Sequence, residues 1–283
     1  MAQSIEVPLR WGDMDAQGHV NNAGFVDYLQ EARADFLLAS PVPHLLGGGV
    51  VVVSHQIEYL APIEYGTEPV VVDVSVVEVR GAQFVLGYDI RHRGRVAARA
   101  RTRLCPYDFT VEHPRRLTAE ERAFFAGQVE PAERLRELRR YRVDDRAARW
   151  PLRVRWSDLD SYGHVNNVCF FDYVQEGRVA MSQAASSAMK RASGGVVETM
   201  WLVVRQDVEY RHQLGFRREP YTVRTGLASP GTSSLTFCSD LIDAGSGTVY
   251  ATAATVVVCA DRTGHPTPIP QEWKEALRPY QLG

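Results

Sequence analysis

Apolar positions in this chain follow two rhythms, and each rhythm occurs twice. Phe25, Tyr28, Leu29, Ala32, Phe36 and Leu37 recur at steps of three and four, the spacing of one buried helix face. Phe170, Tyr173, Val174 and Gly177 repeat that face. Around each helix the rhythm changes to β-branched runs of period two. These runs are Ile5 to Trp11, Val50 to Tyr59, Val70 to Val79, Phe84 to His92 and Val96 to Cys105 in the first half. Their counterparts are Met200 to Tyr210, Tyr221 to Ala228, Leu235 to Ile242 and Val249 to Cys259. Small residues at Ala98, Ala100 and Thr102, and again at Ala251, Ala253 and Thr255, suit a sheet with one heavily buried face. A long helix followed by four or five mostly antiparallel strands predicts an α+β unit with the helix packed on the sheet.

The two units share more than a rhythm. The stretch from Arg10 to Arg33 returns as Arg155 to Arg178, an offset of 145 residues, with 15 of 24 positions identical. So long a period excludes a solenoid and points to one domain duplicated and fused. What the copies share is polar: Asp13, Asp15, His19, Asn21 and Asn22 match Asp158, Asp160, His164, Asn166 and Asn167. Packing alone would have kept apolar residues, so these positions carry the candidate chemistry. Expected boundaries are a first domain over 1–113, a helical connector over 114–149 and a second domain over 150–283. In the connector, Thr118 to Glu121 reads as a capping box ahead of Phe124 and Phe125, and Pro131 to Tyr141 as a second short amphipathic stretch.

Composition narrows the function classes. With 32 basic and 34 acidic residues the net charge is −2, so no overall field recruits nucleic acid or an anionic membrane. No apolar run reaches the ~18 residues of a membrane span, and the first residues do not read as a secretory signal. A cytoplasmic location is the expectation. Cys105, Cys169, Cys238 and Cys259 lack metal-ligand or framework spacing, so free thiols are expected, with neither a metal site nor a cofactor.

The motif around Asp13 to Asn22, followed by a helix opening on an aromatic and reaching Glu31-Ala32-Arg33, resembles the hotdog-fold acyl thioesterases. The 4-hydroxybenzoyl-CoA thioesterase-like and acyl-ACP thioesterase-like groups are the nearest in wording. Tyr59 to Gly66 is similar to their Tyr-x-x-Pro-x-x-x-Gly segment. The resemblance covers both halves and implies a tandem (double) hotdog fold that hydrolyses an acyl-CoA or acyl-ACP thioester. It places the catalytic carboxylate at Asp15 and Asp160. It puts the backbone donor to the thioester oxygen at Asn22 and Asn167, and further site groups at Gln17, His19 and His164. Single hotdog domains pair, so an intramolecular pseudo-dimer is expected, with room for further homo-oligomerisation.

The residues themselves support the same chemistry. A helix N-terminus offers free N–H groups and partial positive charge to an oxyanion, and a carboxylate just before it can act as nucleophile or general base. Asn21 and Asn166, or their neighbours, are expected to cap the helix. His19 could orient water or bond Asp15. The alternative for Asp15 and Asp160 is a brace for the turn, which is the reading preferred for Asp13 and Asp158. Hotdog hydratases and dehydratases are a rival class, but they carry an Asp and a His five apart around Asn-Pro, whereas the spacing here is four. A non-catalytic acyl-CoA-binding protein would not require the carboxylate twice. Gln17 faces Tyr162 in the second copy, which also lacks the Pro of Tyr59 to Gly66, so the first copy is the expected seat of turnover.

Overall fold

The computed structural model describes residues 2–133, 135–139, 141–193, 200–228, 230–261 and 263–283. Its contacts divide it into two compact units, Met1–Arg136 and Glu137–Gly283. In the first unit β1 (Gln3–Val7), β2 (Val50–Tyr59), β3 (Val70–Val79), β4 (Phe84–His92) and β5 (Arg95–Asp108) form an antiparallel sheet in the order β1-β3-β4-β5-β2. The two-residue β6 (His113–Pro114) pairs with the end of β5. Helix α1 (Gly24–Leu38) packs on β1 and β3, and the short α2 (His44–Gly48) follows it. Period two explains the packing: Val70, Val72, Val74 and Val76 are all but inaccessible to solvent. Each such burial is worth roughly 1.5–3 kcal/mol.

The second unit repeats this plan. After α3 (Ala119–Gly127) come β7 (Ala148–Leu152), α4 (Cys169–Ser193), β8 (Met200–Tyr210), β9 (Tyr221–Leu227), β10 (Ser234–Ile242), β11 (Val249–Ala260) and α5 (Gln271–Leu277). The antiparallel order is β7-β9-β10-β11-β8, with α4 against β7, β9 and β10. Each unit is thus an α+β hotdog repeat. None of the described helices is long and apolar enough to cross a membrane.

The segment expected to connect the domains is shared between the units. Thr118 and Glu121 do form the capping box, and α3 packs onto the first unit, where Phe125 stacks on Phe84 with centroids 4.0 Å apart. Beyond it Glu130 N–H donates to Val76 O at 2.9 Å, as Leu282 N–H donates to Leu227 O at 2.8 Å beyond α5. So α3 and α5 are equivalent, each closing its own repeat. Described residues between Pro131 and Tyr141 form no helix. Glu133 there is instead bonded by Arg99 and Arg101 of β5, and a stretch this short does not hold a helix by its own propensity.

Glu121 has no exposed side-chain surface. It accepts from both Arg115 guanidinium nitrogens (2.8 and 2.7 Å) and from Thr118 N–H (2.8 Å), and bonds His44 Nε2 at 2.9 Å. Burial opposes its charge, but the Arg115, Thr118 and His44 bonds outweigh burial and hold the carboxyl at about 2. A carboxyl held below its ordinary value stabilises the fold above pH ~4.5, and that contribution fades as pH falls toward 2. Glu121→Ala strands the Arg115 charge and should cost about 3 kcal/mol in denaturant unfolding at neutral pH, with the deficit shrinking on acidification.

Gly177 shows how closely α4 approaches its sheet. A Cβ there would sit 2.6 Å from Val223 Cγ1 and 2.8 Å from Thr225 Oγ1. Alanine favours a helix by up to ~1 kcal/mol, yet Gly177→Ala should destabilise by about 1–3 kcal/mol, because a stiff buried valine must move. Chemical denaturation of the two proteins measures the sign.

Candidate active site

Each motif begins with a single 3-10 turn, Trp11–Asp13 and Trp156–Asp158, that reverses the chain after the first strand. Asp13 closes it. Its Oδ2 accepts from Arg10 N–H at 2.8 Å and from the Tyr28 hydroxyl at 2.8 Å; Asp158 does the same with Arg155 N–H (2.8 Å) and Tyr173 (2.6 Å). Burial, then the facing carboxylate, pushes both phenols well above their ordinary range. The first Asp of each pair therefore braces the turn and ties it to α1 or α4.

The second Asp organises the next reversal. Asp15 Oδ1 accepts from Gln17 N–H (2.7 Å) and His19 N–H (3.2 Å), while Asp15 N–H donates to His19 O at 2.7 Å. Asp160 makes the same set with Tyr162 N–H (2.9 Å) and His164 (3.2 and 2.8 Å). Gly18 and Gly163 sit at φ +79° and +78°, where a side chain would be strained. Among the described residues neither Asp15 Oδ2 nor Asp160 Oδ2 has a hydrogen-bond partner. One oxygen anchors and the other is available.

The same reversal occurs a third time, at a place the sequence pattern did not single out. Asp261 Oδ1 accepts from Thr263 N–H (2.8 Å) and His265 N–H (3.0 Å), with Gly264 at φ +86°. The shared Asp-x-x-Gly-His spacing was the available signal. That copy leads into Pro266, whereas Asp15 and Asp160 lead into helix starts.

Those starts are held from the sheet. Tyr59 donates its hydroxyl to Asn22 O at 3.0 Å and Tyr210 to Asn167 O at 2.8 Å, with Phe25 and Phe170 edge-on to them at 5.3 and 5.0 Å. The expected asparagine caps act slightly earlier than the helices proper. Asn21 Oδ1 accepts from Ala23 N–H and Asn166 Oδ1 from Val168 N–H, both at 3.2 Å, while Ala23 is the N-cap of α1 and has no side-chain cap bond. Among the described residues the Asn22 N–H meets no acceptor.

His19 is tied to Asp15 through its backbone; its imidazole makes no bond to that carboxylate among the described residues. The Gln17 side chain is exposed and Tyr162 is half-buried. Burial, then the Asp160 charge, raises the Tyr162 phenol. The missing proline leaves the second turn intact. Val20 N–H donates to Ile63 O and Val165 N–H to Leu214 O, both at 2.8 Å. Trp11 meets Tyr65 edge-on at 5.3 Å, and Trp156 meets Phe216 at 5.4 Å.

Arg217 pairs with Asp243 at 2.6 Å and lies 3.7 Å over the Tyr221 ring. Of the four free cysteines, Cys105, Cys238 and Cys259 are buried, and burial raises Cys238 to about 11. Among the described residues no group of three His, Cys, Asp or Glu is placed to hold a metal ion.

Comparison with known proteins bears on the fold and the family. Among curated protein sequences none matches the chain. Among solved structures, a Lactobacillus plantarum protein named as an oleoyl thioesterase superposes with a TM-score of 0.71 at 17% identity, covering 93% of this chain and 98% of its own. The 12:0-ACP thioesterase from Umbellularia californica gives 0.69 at 14% identity, over 91% and 94%. An acyl-ACP thioesterase from Bacteroides thetaiotaomicron gives 0.65 at 12%, over 90% and 97%. At these identities the likeness is one of fold. The model of the thioesterase-like superfamily matches residues 9–137 and again 154–277, so this chain, a thioester hydrolase built of two hotdog repeats, belongs to that superfamily.

Proposed function

We propose that the protein is an acyl-CoA thioesterase in which Asp15 and Asp160 activate the attack and the amides at Asn22 and Asn167 receive the oxyanion. One observation carries the reading: in both repeats a carboxylate with one oxygen clamped and one available stands nine residues before the first residue of a helix, at the turn that leads into it. The available oxygen takes a proton from water as the water oxygen bonds the thioester carbon. Negative charge then moves onto the carbonyl oxygen, which the helix-start N–H groups stabilise. Collapse breaks the C–S bond and the proton passes to the departing thiolate, leaving free acid and CoA. Direct attack by the carboxylate, giving an anhydride that water opens, uses the same groups. His19 and His164 orient the water, and the Gln17 amide assists in the first repeat. Acyl carrier protein is the alternative carrier, since two of the structural neighbours are named as ACP thioesterases; assaying both carriers with one acyl group separates them.

Asn can accept the same two turn bonds as Asp but cannot take the proton. The double variant Asp15→Asn/Asp160→Asn should therefore lose on the order of 10²–10⁴ in thioester hydrolysis with its melting temperature little changed. Free-thiol release from an acyl-CoA panel, beside a thermal melt, measures both; near wild-type turnover would move the chemistry away from these turns. Asp160→Ala, which also removes the brace, should in addition lower stability by about 1 kcal/mol.

A further inference from the structure

The two repeats differ most behind the site. In the second unit a cavity of about 260 Å³ lies between α4, the sheet and α5. Its walls are mostly apolar, with Leu235, Phe237, Val257 and Leu277 beside Trp201 and Trp273, whose rings meet edge-on at 5.6 Å, and it is partly open, with Arg178 and Gln183 of α4 also on its lining. The first unit shows why it exists. The counterparts of Leu235 and Leu277 are Phe84 and Phe125, stacked at 4.0 Å, and the counterpart of Ser182 on the helix is Leu37, fully buried. Three large side chains have become smaller, and the space they would fill stays open even though Trp273 and Trp201 replace Glu121 and Val50. An apolar cavity of ~150 Å³ already admits a benzene-sized molecule.

We infer that this cavity receives the end of a long hydrocarbon chain, the acyl tail of a thioester whose carbonyl sits at the start of α4. The inference rests on the thioesterase reading and adds the substrate class. Helix α4 and strand β8 both run from one place to the other. Asn167 and Tyr210 are bonded at the site, while Arg178 and Trp201 line the cavity at the far end. From Cys169 to Arg178 the helix rises roughly 14 Å, so a short or single-ring acyl group held at the helix start does not reach the cavity. Helix length agrees with this role. Helix α4 has 25 residues where α1 has 15, and Ser186, on the cavity wall, belongs to the added length.

The test restores the first repeat's packing in the second. Leu235→Phe/Leu277→Phe, and separately Ser182→Leu should the double variant not fold, fill the space with the residues found at Phe84, Phe125 and Leu37. Two readouts on the full chain are needed: palmitate affinity by titration calorimetry, and the ratio of kcat/KM on palmitoyl-CoA to that on butyryl-CoA. We expect the filled variants to lose palmitate affinity, and to lower the palmitoyl-to-butyryl ratio, on the order of tenfold or more. Palmitate binding that the filled variants abolish, in a protein hydrolysing neither thioester, would keep the cavity's ligand and sink the hydrolase reading. Unchanged palmitate affinity and an unchanged ratio in folded variants would overturn the inference while leaving the hydrolase reading standing.

Discussion

A single carboxylate oxygen sets the geometry of each site. Asp15 Oδ1, holding the amides of Gln17 and His19, fixes the reversal that delivers the chain to the start of α1, and Asp160 Oδ1 does so for α4. The bonds run to backbone, so they tolerate any side chain between them: Ala16 and Gln17 in one repeat, Ser161 and Tyr162 in the other. The reversal is then zipped to the sheet through Val20 and Ile63, or Val165 and Leu214. The same device recurs at Asp261. What differs is the continuation, a helix start in two copies and Pro266 in the third. A carboxylate gains a chemical role only where helix amides are close enough to share the reacting carbonyl.

This division explains how the repeats could keep one entrance and diverge behind it. Polar bonds at the entrance are directional, and losing one partner leaves the other unsatisfied. Apolar packing is forgiving of shape so long as volume is roughly kept. The buried Glu121 with Arg115 and His44 in the first unit therefore gives way to Trp273 in the second, and a stacked phenylalanine pair gives way to two leucines. The first choice yields a filled, charge-pinned interior; the second leaves room.

Much of this was legible in the chain itself. The helix face of Phe25 to Leu37 and the longer alternating strands depend on local spacing and appear where the pattern puts them, whereas the strand expected over Ile5 to Trp11 is Gln3–Val7 and Trp11 already belongs to the 3-10 turn. The duplicated Asp, His and Asn residues single out the candidate site, because a fused copy exposes what drift has not removed. Gly18 and Gly163 follow from the same logic, since a left-handed turn admits little else.

Other features depended on residues distant in sequence. Helix α3 reads as a connector until Phe125 is seen stacked on Phe84 and Glu130 bonded to Val76. Tyr59 and Tyr210 read as strand residues until their hydroxyls reach the helix-start carbonyls. By its letters the second repeat lacks a family segment, yet Leu214 and Phe216 occupy its place, because a backbone carbonyl and an aromatic edge are contributed by many sequences. The cavity is the clearest case. Leu235, Leu277 and Ser182 are ordinary residues where they stand in the chain, and only their convergence, set beside Phe84, Phe125 and Leu37, shows a space. Sequence determined the turns and periodicities, which are local; tertiary structure decided volume, which belongs to no single element.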